Sequence, residues 1–535
     1  MPKLMVTIDE KERIIFFEPG KTLKQILEGA DIQIRAGCNG TGACGLCKIR
    51  IEDGEAGEIM PNERVYLEPA QLEQGIRLAC QVTPSKDLQL SLMEPILLPN
   101  WRCLRSAASK DTIPVQIPED SLLQDGKKSY GVAIDIGTTH IRLSLYAMDS
   151  GKWLCGRIGL NPQINRGLDV MTRLIMATES PKQADAIRFQ LLEAIGEALQ
   201  HMSVREGIVI TQVVRMVLVG NTAMLTLLTA QNYEKLLTPA HWMRFIDCQP
   251  GDVKEWIDLW GLHPEARIDV MPPLAGFVGS DLLAGAMFTG VFESSPGNLL
   301  IDFGTNSEIA LWDGKTLWVT SAAGGPAFEG SGISCGIPAE PGAIFEVDVG
   351  AETVGFSVIN GMEPRGICGS GLVDLIAGLL RVENINCRGV FAPQIPKKGL
   401  CIVENGKNIV LTKGDIDLFQ RAKAAVGAGI EVLLNKSGMK VEDLKHIYIG
   451  GSFGQHLNIK NAQQIGLLPE TAPEIIELCG DMALAGCERA LLLIDGVQQF
   501  QKLNEQSTII NLATCEDFEE LFLENLYLQP LGGKR

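Results

Sequence analysis

Basic residues are in short supply: 47 Lys and Arg stand against 65 Asp and Glu, a formal net charge of −18. A nucleic-acid partner calls for a basic face, so that class is set aside; the acidity fits a solvated surface or steering towards a basic protein partner. Long apolar runs are missing as well. No stretch approaches the roughly 18–20 residues of a membrane span, and residues 1–9 turn polar before the apolar core of a secretion signal could form. The expectation is a cytoplasmic protein with no membrane partner. Close cysteine pairs are scarce too: the 14 cysteines are spread along the chain, and one group alone has ligand spacing, which excludes a disulfide scaffold. What is present, 46% hydrophobic and 21% charged residues over 535 positions, suits packed domains, and that length is too great for one core.

The one spaced group is Cys38, Cys44, Cys47 and Cys80, the first three within Gly37-Cys-Asn-Gly-Thr-Gly-Ala-Cys-Gly-Leu-Cys47. Four thiolates complete a [2Fe–2S] site, and glycines let a loop wrap a cluster with N–H groups close to its sulfurs. Structural zinc more often takes two close pairs than three cysteines plus a distant one. Around the loop, residues 4–8 and 13–17 read as strands joined by a turn at 9–12, and Thr22 caps a short helix presenting Leu23, Ile26 and Leu27. This set resembles the β-grasp ferredoxins. The six-residue step from Cys38 to Cys44 is similar to the adrenodoxin-type pattern, with a plant-type potential near about −400 mV as the starting value.

Residues 93–129 hold Pro95, Pro99, Pro114 and Pro118 and read as an extended linker, with Cys103 incidental. Beyond it, apolar strands flank an Asp-x-Gly-Thr turn twice, at Ile134-Asp-Ile-Gly-Thr-Thr139 and at Ile301-Asp-Phe-Gly-Thr-Asn306. Each is followed by a strand running into a Gly turn, at Val219-Gly-Asn-Thr222 and Ile449-Gly-Gly-Ser452. Repetition of this order predicts a duplicated α/β unit with a cleft between its halves. Gly and Thr at hairpin tips offer N–H and hydroxyl donors to anionic oxygens, and a strand-end Asp in each half can hold Mg²⁺ or its waters. A single Asp-Gly copy would be read as a tight turn. Residues 414–438 read as a helix with Ile416, Phe419, Val426, Ile430, Leu433 and Leu434 on one face, and Gly427 and Gly429 marking close packing.

The paired hairpins and the Gly450-Gly451-Ser452 turn resemble the phosphate and adenosine motifs of the actin, sugar-kinase and chaperone-type ATPases. That resemblance implies that Asp135, Gly137, Thr138 and Thr139 meet phosphate and metal from one lobe, and Asp302, Gly304, Thr305 and Asn306 from the other. It places Gly450, Gly451 and Ser452 along the adenosine. Glu308 and Glu329 are the candidate hydrolytic bases. The expected fold class is thus α/β with an α+β N-terminal domain: a β-grasp ferredoxin over 1–92, a linker over 93–129 and a duplicated actin/hexokinase-like ATPase domain over 130–535, its lobes about 130–295 and 296–535.

A ferredoxin joined to an ATPase resembles the reductive activators of corrinoid proteins, and the strings Asn161-Pro-Gln163, Asp169-Val-Met-Thr-Arg173 and Val278-Gly-Ser-Asp281 are similar to theirs. The resemblance implies a [2Fe–2S] cluster, ATP and Mg²⁺ as cofactors, and ATP-dependent electron transfer to an inactive Co(II) corrinoid, giving Co(I). Its implied partners are a corrinoid protein, an upstream electron donor and a second copy of the chain. The alternatives are an ATP-coupled donor to another low-potential acceptor, a small-molecule kinase with a redox-sensing domain, and a nucleotide-gated binding module.

Overall fold

The computed structural model describes the chain apart from residues 9–10, 31, 33, 35–39, 43–44, 46, 94–98, 105–127, 168, 294, 305, 323, 325, 331, 351–352, 405–407, 452, 454–455 and 532–535. Near the N-terminus, β1 (Lys3–Ile8) and β2 (Lys11–Phe16) pair antiparallel, as their alternation predicts. Thr22 opens α1 (Leu23–Gly29): its hydroxyl accepts from the Gln25 amide while Gln25 Oε1 accepts from the Thr22 amide, a reciprocal cap. There follow β3 (Lys48–Gly54), α2 (Pro61–Tyr66), α3 (Pro69–Glu73), β4 (Ile76–Leu78) and β5 (Leu88–Leu92). The sheet order is β2-β1-β5-β3-β4, with β1 and β5 parallel at its centre. Leu23, Ile26 and Leu27 of α1 are buried against Leu4, Val6 and Leu90 of this sheet. The buried Arg77 guanidinium donates to Glu63 at 2.7 Å and to the carbonyls of Gly57 and Glu58, fastening α2 to β4.

The next sheet contains β6 (Arg102–Leu104), β7 (Tyr130–Ile136), β8 (His140–Ala147) and β9 (Lys152–Leu160). After α4 (Val170–Thr178) and α5 (Pro181–Glu206) come β10 (Val213–Gly220), α6 (Thr222–Thr229), α7 (Val253–Trp260), β11 (Arg267–Val270) and α8 (Ser280–Thr289). The order is β11-β10-β7-β8-β9-β6, with β10 and β11 parallel to β7. β6 lies inside the stretch expected to be an extended linker, yet it pairs antiparallel with β9. Glycines on β9 make the room: a Cβ on Gly159 would meet the Trp101 ring at 2.6 Å, and one on Gly156 would meet Leu104 at 3.0 Å.

The third sheet repeats the second. It comprises β12 (Asn298–Phe303), β13 (Ser307–Trp312) and β14 (Leu317–Ala322). A smaller sheet follows, of β15 (Ala343–Val349), β16 (Val354–Val358) and β17 (Gly366–Ile367), then α9 (Gly369–Arg381), the pair β18 (Leu400–Val403) and β19 (Ile409–Leu411), and α10 (Lys413–Ser437). The chain ends with β20 (His446–Gly450), α11 (Ile459–Gln464), β21 (Ile476–Gly480), α12 (Met482–Leu492), α13 (Gly496–Gln506), β22 (Ser507–Ile509) and α14 (Phe518–Asn525). Its order, β21-β20-β12-β13-β14-β22, matches the second sheet strand for strand except that β22 arrives from downstream and runs parallel to β14. The apolar face predicted for α10 is buried, and Gly427 and Gly429 admit Asn525 and Ile309 at distances no Cβ would allow.

Helices α8 and α12 join the two halves. A Cβ on Gly486 would run into the Ala284 carbonyl, so the helices touch backbone to backbone. One core holds Val217 and Val219 of β10, Leu283 and Ala286 of α8, Leu300 of β12 and Leu491 of α12. The Cys487 thiol on α12 donates to the Val217 carbonyl at 3.2 Å. Among the described residues, no helix is long and apolar enough to cross a membrane.

Candidate functional site

Both hairpin tips open onto one cleft of ≈ 720 Å³ between the sheets. On the first, Asp135 lies near the end of β7, the Gly137 amide closes the turn onto the His140 carbonyl at 2.9 Å, and Thr138 and Thr139 form the tip. On the second, Asp302 lies near the end of β12, and the Gly304 amide donates to the Asn306 carbonyl at 3.1 Å. Thr305, expected to sit at this tip, lies outside the described residues.

The third element is the turn after β20. Gly451 has φ +85°, its amide donates to the Gly480 carbonyl at 3.0 Å, and a Cβ there would strike the Phe303 carbonyl. Only glycine fits such a position without strain. Gly451 faces the cleft, whereas Gly450 pairs with Asp302 behind it with the Met482 methyl against its Cα. Ser452 lies outside the described residues.

Asp135, Asp302 and Glu308 come together as expected, and the fold adds Asp281 from α8 and Asp481, which precedes α12. Arg142 of β8 stands among them, 3.2 Å from Asp135 and 3.2 Å from Asp481. Burial pushes Asp135 and Asp302 up to about 7 and Asp281 up to about 6. It carries Glu308 well above the carboxylate range, with Asp281 and Asp302 adding to the effect. Ser321 Oγ donates to Glu308 Oε1 at 3.1 Å. So much unmet negative charge suits a divalent cation. Among the described residues no three acidic, His or Cys side chains are arranged to hold one directly. A magnesium ion that keeps its waters fits this set, with the carboxylates reaching it through that shell.

In the sequence Asp281 and Arg142 stand inside longer strings with no site role of their own, and Asp481 is unmarked. Each acid reads locally as an ordinary helix-start residue. The signal that could have found Asp481 is the Gly480-Asp481 step at a strand end, and for Arg142 its place directly across the hairpin from Asp135. The Glu329 side chain lies outside what the structure describes.

Of the four predicted cluster ligands, Cys47 and Cys80 are buried and lie together, while Cys38 and Cys44 fall outside the described residues. Cys80 is pulled down to about 6, first by a hydrogen bond from Cys47 and further by Gln81, whose Nε2 donates to Cys80 Sγ at 3.4 Å. The loop beside them has left-handed glycines: a Cβ on Gly42 would meet the Asn62 and Gln81 amides at 2.7 Å, and one on Gly45 would meet Tyr66 at 2.7 Å. Thiolate-favouring surroundings under a glycine loop pressed onto α2 fit an iron–sulfur cluster. Among the dispersed cysteines, burial raises Cys335, Cys479 and Cys487, and Cys368 is buried beside Ser370.

Three family models match the chain in succession: a 2Fe-2S iron-sulfur cluster binding domain at residues 6–85, the RACo middle region at 130–294, and the C-terminal domain of RACo, the ASKHA domain, at 297–533. The corrinoid activation enzyme RamQ of Eubacterium limosum is 32% identical over 471 residues, covering 83% of this chain and 77% of its own. The [Co(II) methylated amine-specific corrinoid protein] reductase of Methanosarcina barkeri is 26% identical over 435 residues, covering 74% and 76%. A solved reductive activator for corrinoid, iron-sulfur protein superposes with a TM-score of 0.64 at 25% identity over 99% of both chains. A cluster-binding domain followed by a duplicated cleft, matched in sequence over 83% of the chain and in structure over 99% of it, places the protein: it belongs to the family of reductive activators of corrinoid proteins.

Proposed function

We propose that this chain couples ATP hydrolysis to the transfer of one electron from its [2Fe–2S] cluster to the Co(II) corrinoid of a methyl-transfer corrinoid protein, giving Co(I). The observation that carries the reading is the presence, in one chain, of a cysteine loop suited to a cluster and a cleft in which Asp135, Asp281, Asp302, Glu308 and Asp481 form a set suited to a hydrated cation. When bound, the cluster supplies a single electron at low potential. An upstream donor replenishes it. Each 59 mV of deficit in a one-electron step costs about 1.4 kcal/mol, which ATP hydrolysis can offset through a change in how donor and acceptor dock.

The division of labour follows the domains 1–92, 93–129 and 130–535, the last in lobes of about 130–295 and 296–535. Asp135 and Asp302 would hold magnesium, which would offset the charge of the phosphates. Gly137, Thr138, Thr139, Gly304, Thr305 and Asn306 receive the phosphates, and Gly450, Gly451 and Ser452 bound the adenosine. Glu308 or Asp281 draws the proton from the attacking water, both being buried carboxyls with raised affinity for a proton. Cys38, Cys44, Cys47 and Cys80 hold the cluster. The protein works in the cytoplasm as a homodimer, with neither nucleic acid nor membrane as partner.

The test is anaerobic. Reduced protein is mixed with a Co(II) corrinoid protein, and the corrinoid absorbance is followed with and without Mg-ATP. ATP-dependent Co(I), lost in Cys44→Ala and in Asp302→Ala, supports the reading. ATP hydrolysis without Co(I) from any of several corrinoid proteins moves the acceptor elsewhere, and phosphate found on a metabolite makes the protein a kinase. Comparing Glu308→Gln with Asp281→Asn for loss of hydrolysis at retained nucleotide affinity identifies the base.

A further inference from the structure

The tip of the first hairpin is gripped from behind by three side chains that are far apart in sequence. Asn161 Nδ2 donates to the Gly137 carbonyl at 2.9 Å, Arg173 Nη1 to the Thr138 carbonyl at 2.8 Å, and the Asn161 amide to the Thr139 carbonyl at 2.8 Å. Asn221 Nδ2 donates to the Thr138 hydroxyl at 2.8 Å. Asn161 and Arg173 are fully buried.

In a planar trans peptide the carbonyl of one residue and the N–H of the next point in opposite directions. Holding the Gly137 and Thr138 carbonyls therefore aims the Thr138 and Thr139 N–H groups the other way. Both residues line the cleft, and among the described residues neither amide has an acceptor. The hydroxyl is treated alike. Because Thr138 Oγ accepts from Asn221, its own proton is left to donate elsewhere. Two amides and a hydroxyl thus converge on the cleft side as a ready anion nest.

Arg173 adds charge. Its Nε donates to the Gly167 carbonyl at 2.8 Å, and among the described residues it has no ion-pair partner. Burial lowers its proton affinity only to about 10, so it stays cationic at neutral pH. A buried cation lies one peptide behind the donors.

We propose that Asn161, Arg173 and Asn221 are positioning residues for a nucleotide polyphosphate: they orient the Thr138 and Thr139 donors of the first hairpin, and Arg173 supplies positive potential through the Thr138 peptide. This rests on the nucleotide-site reading above and assigns work to three residues outside its contact set. A purely structural role, in which a buried turn simply needs partners for its carbonyls, is the competing account.

The two accounts differ in which ligands they affect. Asn221 also caps α6, its Oδ1 accepting from the Met224 amide at 2.9 Å. Asn221→Ser keeps a neutral capping oxygen but is too short to reach Thr138. Arg173→Lys keeps the charge but loses the fork that spans two carbonyls. With the full-length protein, calorimetry against Mg-ATP, Mg-ADP and adenosine is the measurement, alongside thermal melting. The expected result is roughly tenfold weaker ATP and ADP binding in each variant, adenosine affinity unchanged, and greater loss in Arg173→Met than in Arg173→Lys. Combining Asn221→Ser with Thr138→Val should cost no more than Thr138→Val alone. Equal loss for adenosine and ATP, or full ATP affinity in a folded Asn221→Ser protein, overturns the proposal. Should the Arg173 variants fail to fold, Asn221→Ser decides. A wild-type protein that binds no nucleotide would defeat the site reading itself and is a separate outcome.

Discussion

The Arg142 guanidinium on β8 lies 3.2 Å from the Asp481 carboxylate at the start of α12, so a strand of one sheet is tied to a helix that follows the other. The same guanidinium reaches Asp135 at 3.2 Å. It is the cation facing Asp135, whose burial raises its affinity for a proton, and nucleotide-bound magnesium would share that duty. Removing it as Arg142→Met leaves Asp135 and Asp481 opposed without compensation. With Arg142 and Asp481 partly exposed and Asp135 buried, a loss of roughly 1–3 kcal/mol is expected, below the range for fully buried pairs. Thermal melting with and without Mg²⁺ reads it, and Mg²⁺ should stabilise the variant more than the wild type. Equal stabilisation of the two would sink the idea.

Gly451→Ala should weaken nucleotide binding and the fold together. The left-handed backbone costs an alanine roughly 1–2 kcal/mol, and the added methyl is directed at the Phe303 carbonyl at the base of the second hairpin. Denaturant unfolding and nucleotide titration on the same sample separate the two effects. A variant with unchanged midpoint and affinity would mean that the turn relaxes freely.

Gln81→Leu removes an N–H donor from the Cys80 sulfur while leaving the cysteine, a proposed cluster ligand, in place. A hydrogen bond to a ligand sulfur favours the reduced, more negative cluster. The midpoint potential of the variant, followed by electron paramagnetic resonance, should move to more negative values with ATP affinity unaltered. A potential that stays put would show that the contact does not reach the electronic structure.

Lys423 gives a pH signature. It is fully buried on α10, and its Nζ donates to the carbonyls of Asn525 at 2.6 Å and Tyr527 at 2.8 Å. Burial lowers it to about 7, with Glu431 pulling the other way. An unfolded lysine titrates near ~10.4. Between those values the unfolded chain holds more protons than the folded one, so stability rises with pH across that window. A neutral amine still has two N–H groups for the two carbonyls. Unfolding midpoints at pH 7 and pH 9.5 should differ more in the wild type than in Lys423→Met. Identical differences would place the titration elsewhere.

Much of the fold is legible in local pattern. The two hairpins, α1 with its Thr22 cap and α10 declare themselves because strand alternation, helix periodicity and capping chemistry act over a few residues. The cysteine spacing and the repeat of Asp-x-Gly-Thr are likewise properties of neighbouring positions, and they were enough to name a cluster and a two-lobed cleft. The edge strand β6 was not legible, because the room it occupies is made by Gly156 and Gly159 on a strand some fifty residues away.

The amino-acid sequence alone determined which residues could carry this chemistry: four thiolates, two strand-end aspartates and the Gly and Thr donors between them. Only the tertiary structure decided which others stand with them. Asp281 and Asp481 look like helix-start acids until α8 and α12 pack together between the sheets and bring both to the cleft. Asn161, Arg173 and Asn221 come from a turn and two separate helix starts, and nothing local marks them as neighbours. They meet around the Gly137–Thr139 tip because buried carbonyls and a buried guanidinium must find partners, and in this packing they find each other.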